Sequence, residues 1–527
     1  MTGAADPIDA ALARGDVAGA VALARAALAA GDQDPFVRNL VAWQLANHGD
    51  AVGAEQLVRA GLGAPPHDPG LLSTLGLALR RQMRFSEALQ AFDAAIAVAP
   101  DYAVAWLERG FALHQGNSLR LADASYRRAA ALDPGKAAAF AGIAAIAAAQ
   151  GEAAIARDFA FHALTIDATD AVAHCALARI DIATGDAAAA ATRLRQLLVA
   201  SGLSADNRST AESLLGDALA RLDQPGAAVA AYSAAKADLA TRFSQLLGAE
   251  PLHHVAQRLT AQFAVETRQW PPTPPENPRG HAFLLGFPRS GTTLVETVLA
   301  SVAGVETLEE LPTLAAAEAA FLRAASGLSA LATAEPETLA ALRAAYWQRV
   351  ADFGVSGAAR LFIDMDPMKT LHLPLIGRLF GTAPIIVMRR DPRDVVLSCF
   401  RQNFAASPMA LEFTTLERSA GFYAAMMQLQ VASLARLPNP VHTLHYEAVV
   451  ADFDGATQRL CDFLGLPWSE ALRDFSNTAR RRDVSTASVG QVRRGLYDGA
   501  GQWRRFAAEM APVLPILQPW VKAFGYR

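Results

Sequence analysis

One stretch carries residue types arranged to hold an anion: His281-Ala-Phe-Leu-Leu-Gly-Phe-Pro-Arg-Ser-Gly-Thr-Thr-Leu-Val-Glu-Thr-Val-Leu299. Its pattern predicts an apolar strand, a turn over 286–293, and an amphipathic helix with Leu294, Val298, Leu299 and Val302 on one face. Backbone amides at such a helix start, at the positive end of the macrodipole, cradle an anion. A nucleoside-triphosphate loop of the form Gly-x-x-x-x-Gly-Lys-Ser/Thr is matched at Gly286 and Gly291, but Thr292 stands where the lysine belongs. That lysine reaches the β- and γ-phosphates, so its absence disfavours ATP hydrolysis and kinase activity. The cation has moved into the loop, to Arg289. No His/Cys/Asp cluster has metal-ligand spacing, and no metal is expected.

The loop needs a sheet to hold it. Short apolar runs at 282–286, 361–364, 385–388 and 441–446, separated by helical stretches, predict an α/β domain with a mostly parallel sheet over 280–527. Five prolines in residues 271–278 cannot continue a helix and predict a stiff connector, with one more helix before it at 252–268. The expected division is 1–245 helical, 246–279 helix and linker, and 280–527 α/β.

The first part repeats. Pro66, Pro100 and Pro134 fall 34 residues apart, as do Leu72, Trp106, Phe140 and His174. Gly76, Gly110, Ala144 and Ala178 form a further series, with Ala88, Ala122 and Ala156, and Phe92, Tyr126 and Ala160. Small residues let the two helices of a hairpin approach, large ones fill the space between hairpins, and proline ends the second helix. His174, at a bulky slot, is expected to be packed rather than a ligand. Gly216 comes 38 residues after Ala178, which predicts an insertion near 201–209. Five or six repeats are expected, clearest over 66–168. The pattern resembles the tetratricopeptide repeat, which implies an α-helical solenoid whose concave face binds an extended peptide or another protein.

Phe287-Pro-Arg-Ser-Gly-Thr-Thr293 resembles the 5′-phosphosulfate loop of sulfotransferases that use 3′-phosphoadenosine 5′-phosphosulfate, and is particularly similar to that of tyrosylprotein sulfotransferases. The resemblance implies that family's fold and cosubstrate, with Arg289, Ser290, Gly291, Thr292 and Thr293 holding the 5′ end and Arg289 stabilising the charge that develops on transfer. In Ile385-Ile-Val-Met-Arg-Arg-Asp-Pro-Arg-Asp-Val-Val-Leu-Ser398, Arg390 and Ser398 match the family's 3′-phosphate pair by type and spacing. An arginine fork suits phosphate oxygens, and a serine hydroxyl adds a donor. Arg393 is expected to be an exposed salt-bridge partner. Tyr446, at the start of a Tyr-Glu-Ala-Val segment, corresponds to the adenine side, and Ser488 and Arg493 to a late segment that closes over the nucleotide.

Glu310, in Leu308-Glu-Glu-Leu-Pro312, aligns with the family's general base; the alternative is that Glu309 and Glu310 charge a helix start. Two departures stand out. The arginine that follows the base in tyrosylprotein sulfotransferases is missing, and Met365 occupies the place of a lysine that helps neutralise the transferring group. Lys369 is the nearest substitute in sequence.

A chain of 527 residues with 52% hydrophobic and 19% charged residues and a net charge of −4 is that of a globular protein, with no sign of a general nucleic-acid binder. Cys175, Cys399 and Cys461 are too far apart for a CxxC site, odd in number, and expected as buried thiols of a reducing compartment. The first residues lack a basic and apolar leader pattern, and the most apolar run, 137–149, has thirteen residues, so a cytoplasmic location without membrane contact is expected. The expected activity is sulfuryl transfer to an acceptor hydroxyl, with a protein or peptide recruited by the repeats among the candidates. The rival is a non-enzymatic repeat scaffold with a degenerate nucleotide-binding domain.

Overall fold

The computed structural model describes residues 5–63, 67–239, 241, 250–265, 280–324, 326–357, 359–482, 492–493 and 495–527. Pro66, the proline-rich segment and Ser488 lie outside these. Contacts divide the chain into two compact units, Met1–Leu203 and Ser204–Arg527.

The first unit is a series of helix pairs, from Ala5–Ala13 with Val17–Ala29 to Ala171–Thr184 with Ala187–Leu198, six among the described residues. Aspartates start many of these helices: Asp16, Asp34, Asp50, Asp68, Asp170 and Asp186 each accept from a backbone amide of the first turn. The small–large alternation is steric. A Cβ on Gly76 would sit 2.4 Å from the Phe92 ring, and one on Gly110 would sit 2.5 Å from the Tyr126 ring. Where the aromatic slot holds Ala160, the glycine slot holds Ala144, so the pair stays filled. Trp106 Nε1 donates to the Pro100 carbonyl at 2.9 Å, and His174 Nε2 makes the same six-residue reach to the Ala168 carbonyl at 3.1 Å. His174 is thus tied to its own repeat, as its slot predicts.

A seventh pair, Ala205–Arg221 with Pro225–Ala234, belongs to the second unit. Its first helix has 17 residues against 13 or 14 in five earlier pairs, and this extra turn takes up the excess predicted near 201–209. It repeats the glycine–aromatic fit, with Gly216 against Tyr232. The pair is built into the α/β core: the Tyr232 ring packs edge-on against Phe400 at 6.1 Å, and its hydroxyl donates to Asp217 at 2.7 Å. Arg401 donates to the Tyr232 hydroxyl at 3.2 Å and to Asp217 at 3.3 Å, while Arg505 donates to the Ala220 carbonyl at 2.6 Å. Tyr232 is fully buried. Truncating such an aromatic costs about 3–5 kcal/mol, so Tyr232→Ala is expected to lower the calorimetric unfolding temperature of the second unit by several degrees. Tyr232→Phe, which keeps the ring, is expected to lose much less.

The α/β core has five parallel strands: β1 Gly280–Leu285, β2 Val305–Glu309, β3 Leu361–Met365, β4 Ile385–Arg389 and β5 Val441–His445, in the order β2-β3-β1-β4-β5. Both faces of the sheet are covered, which is why β1, β3 and β4 read as continuous apolar runs. Alternation sends Phe283, Leu285, Phe362 and Val387 into one cluster and Ala282, Leu284, Ile363 and Met388 into the other. The sequence reading found four of these strands and missed β2, an edge strand whose sequence, Val-Glu-Thr-Leu-Glu, has no apolar run. No helix among the described residues is long and apolar enough to cross a membrane. All three cysteines are free and buried.

Candidate functional site

The strand order sets out the site. At the carboxyl edge, Glu310 follows β2, Met365 ends β3, the 286–291 turn follows β1, Arg390 follows β4 and Tyr446 follows β5. β1 and β4 are neighbours, with Phe283 opposite Ile385 and Leu285 opposite Val387, so two motifs about a hundred residues apart in sequence meet at one point. The chain switches sides of β1 there, and crevices of open α/β sheets form at such switches.

The turn after β1 is tightly constrained. Ser290 donates its amide to the Phe287 carbonyl at 3.0 Å, and Cys399 Sγ lies 3.2 Å from the Pro288 carbonyl. Gly291, at φ 106°, starts the helix Thr292–Leu299; a Cβ there would come within 2.8 Å of the Tyr446 ring. Ser290, Thr292 and Thr293 are buried, and the four apolar residues assigned to one helix face are buried together. Arg289 sits at φ 69°, a conformation few non-glycine residues adopt.

Arg289 Nε donates to Ser398 Oγ at 3.0 Å, and Arg390 Nη1 donates to the Arg289 carbonyl at 3.2 Å. The guanidinium of Arg390 lies 4.8 Å over the Tyr446 ring. Arg289, Ser398, Arg390 and Tyr446 therefore converge, although Ser398, expected as the partner of Arg390, bonds to Arg289. A cavity opens between them, lined by Arg289, Arg390, Tyr446, Tyr497, Leu294 and Val492 together with two glycines. Among the described residues, two cations and no carboxylate line it. Burial, reinforced by nearby Arg390 and Arg401, holds Arg289 below the ordinary arginine pKa, and Arg390 Nε is buried without a hydrogen-bond partner. Both observations fit an anionic ligand, which would offset the clustered positive charge and supply an acceptor for Arg390 Nε.

Arg393 needs correcting. It is buried rather than exposed, paired with Asp391 through Nε at 2.9 Å and Nη2 at 2.6 Å, and stacked 4.3 Å over Trp503. It is a salt-bridge partner, as expected, but a structural one. Arg493 donates to the Ala479 carbonyl at 3.1 Å and is not among the residues lining the cavity, whereas Val492 and Gly495 beside it are.

Sequence reasoning placed Arg390 and Tyr446 at the site but missed Asp394 and the bonds by which all three strap the late segment beside the cavity. Arg390 Nη2 donates to the Gly499 carbonyl at 2.6 Å, the Tyr446 hydroxyl donates to the Tyr497 carbonyl, and buried Asp394 accepts from the amides of Gly501 at 2.6 Å and Trp503 at 2.8 Å. The second aspartate of Arg-Asp-Pro-Arg-Asp was the available signal: an acid on the buried side of a helix needs donors.

Glu310 does not charge a helix start. It follows a strand, its amide donates to the Met365 carbonyl at 2.7 Å, and the next helix begins at Ala315. At φ 52° it is left-handed. Of the non-glycine residues with positive φ among those described, Met83, Asn117 and Asp223 sit in turns within helix pairs, and the other two are Arg289 and Glu310. Glu310 is an exposed residue and is not among those lining the cavity, yet its carboxyl is pushed up to about 8, first by loss of hydration and then by Asp366 and Glu309, against the pull of Lys369 and Arg289. Met365 is fully buried in the apolar cluster, so no cation ends β3. Lys369 is buried too, with Nζ 2.6 Å from Asp364 Oδ1.

Residues 282–470 match the model of the sulfotransferase family. An uncharacterized protein of Aquifex aeolicus (strain VF5) is 29% identical over 257 residues, covering 46% of this chain and 34% of that protein's length. Among solved structures, a tetratricopeptide repeat protein from Parabacteroides merdae aligns at 14% identity over 46% of this chain and 96% of its own, with a TM-score of 0.35. A thermophilic TPR protein from Thermus thermophilus aligns at 21% over 34% and 99%, with a TM-score of 0.30. MamA from Desulfovibrio magneticus RS-1 aligns at 17% over 32% and 94%, with a TM-score of 0.28. Residues 282–470, within the α/β part, are thus similar to the sulfotransferase family, and they follow a series of helix pairs that keeps a 34-residue period.

Proposed function

We propose that this protein is a sulfotransferase that uses 3′-phosphoadenosine 5′-phosphosulfate, moving the sulfuryl group to an acceptor hydroxyl, and that its repeats recruit a protein or peptide carrying that hydroxyl in a reducing, cytoplasmic setting. One observation supports this above the others: the sheet order puts Arg390 and Tyr446 on one side of the Arg289 turn and Glu310 on the other. Strands lie about 4.8 Å apart. The nucleotide then belongs at the β4–β5 end, the acceptor at the β2 end, and the transferring group between them at the turn.

In this reading Arg390 and Ser398 hold the 3′-phosphate, with Tyr446, Ser488 and Arg493 around the nucleotide. Arg289, the amides from Ser290 to Thr293 and the two threonine hydroxyls hold the 5′ end. The acceptor oxygen forms its bond to sulfur as the bond from sulfur to the nucleotide phosphate breaks, and the acceptor proton passes to Glu310. Arg289 stabilises the charge left on the phosphate.

Thermal shift tests the nucleotide site. 3′-Phosphoadenosine 5′-phosphate at a hundredfold excess over Kd is expected to stabilise the second unit by about 2.7 kcal/mol, while ATP at equal concentration does much less. No shift at millimolar nucleotide overturns the reading. Met365, buried where relatives have lysine, favours a second reading, a repeat scaffold that binds nucleotide without transferring sulfate. Labelled sulfate passing from the nucleotide to any lysate component, and not with Arg289→Ala protein, rules that out.

A further inference from the structure

Glu310 is an exposed residue in a left-handed backbone position, so something must hold its turn. Three bonds do so: its own amide to the Met365 carbonyl at 2.7 Å, Thr313 Oγ1 to Asp364 Oδ2 at 2.7 Å, and Lys369 Nζ to the Leu311 carbonyl at 3.0 Å. Lys369 is the only one of the three donors that is charged. Its ammonium is fixed from below by Asp364 Oδ1 at 2.6 Å, with Asp366 Oδ2 at 3.9 Å. Asp364 is fixed in turn: the Tyr346 hydroxyl donates to it at 2.9 Å and is itself 2.9 Å from His281 Nε2. Lys369, Asp364 and Tyr346 are all buried.

We propose that Lys369 is the positioning residue for Glu310, clamping the turn that carries the base through the Leu311 carbonyl and placing a fixed positive charge beside it. The proposal rests on Glu310 being the base. It accounts for how the chain functions with Met365 at the end of β3: the cation enters from the short helix Pro367–His372 beneath the sheet edge and acts on the base rather than on the transferring group. The charged groups that face Glu310 are Asp366 and Glu309, which oppose its ionisation, and Lys369 and Arg289, which favour it.

Lys369→Met alone leaves the Asp364 carboxylate buried without its counter-ion and is expected to destabilise the fold. The informative variant is therefore Asp364→Asn combined with Lys369→Met, which removes both charges while the asparagine oxygen remains an acceptor for Thr313 Oγ1, and Thr313→Val serves as the control for loss of that bond. In the full chain with carboxyl-labelled glutamate, the Glu310 carbon signal is assigned by its loss in Glu310→Gln, and its titration is followed by NMR. The double variant is expected to move that midpoint upward by half a pH unit or more and to lower kcat at least tenfold, with KM for the nucleotide within threefold. A midpoint and kcat matching the wild type overturn the proposal. If the wild type transfers no sulfate, the function proposed above fails on its own, and the NMR midpoint still decides whether Lys369 acts on Glu310.

Discussion

Arg289→Ala is expected to lower kcat for sulfuryl transfer by about a hundred- to a thousandfold, the loss that follows removal of one preorganised donor to a developing oxyanion, about 3–4 kcal/mol. Its position supports so large an effect. The residue is held in a left-handed turn at the meeting point of β1 and β4, with Nε on Ser398 and Arg390 on its carbonyl. Alanine at φ 69° is as strained as arginine, so the turn should persist and stability should change little. Arg289→Gly separates the two contributions: it relieves that strain by about 1 kcal/mol and still loses the cation, so a more stable yet equally inactive protein is expected. Arg289→Lys keeps the charge without the planar fork and should recover only part of the rate. Initial rates with labelled cosubstrate check all three, and Arg289→Ala within threefold of wild type would remove the turn from the mechanism.

The turn was legible because it is contiguous. Loop, flanking apolar strand and amphipathic helix all lie between His281 and Leu299, so type and spacing alone announce an anion cradle. The 34-residue repeat was legible for a similar reason: each glycine–aromatic pair falls within a single hairpin, as with Gly76 and Phe92. What the sequence concealed depends on distant partners. β2 has no apolar run because it is an edge strand, and its place in the sheet comes only from pairing with β3. The pair Ala205–Ala234 carries the repeat's signature, but its allegiance is set by Phe400, Arg401 and Arg505, some 170 to 285 residues away. Arg393 has the composition of a surface arginine and is buried because Asp391 neutralises it and Trp503 covers it. The same holds for Lys369, whose burial needs Asp364, and for the Gly499 and Tyr497 carbonyls that secure the strap. Resemblance gave Arg390 and Ser398 as a pair; the fold adds that Arg289 is the group bonded to Ser398.

Glu310→Gln is expected to reduce kcat by about 10²–10⁴-fold, the usual contribution of a positioned general base, while the thermal shift from 3′-phosphoadenosine 5′-phosphate stays unchanged, because Glu310 lies at the opposite end of the sheet edge from Arg390 and Tyr446. The wild-type pH profile carries the signature. A base works deprotonated, and this carboxyl is pushed up to about 8 by desolvation and by Asp366 and Glu309, so kcat should rise with pH and level off above about 8. The residual activity of Glu310→Gln should lack that limb. Stability runs the other way. A carboxyl whose folded pKa is raised favours the fold below the ordinary carboxylate range, and that contribution is lost as pH climbs through about 8. Glu310→Gln should therefore gain in unfolding temperature relative to wild type as pH goes from about 6 to about 9. A rate limb that survives in the glutamine variant would assign the base to another group at the β2 edge, with Asp366 the first to replace.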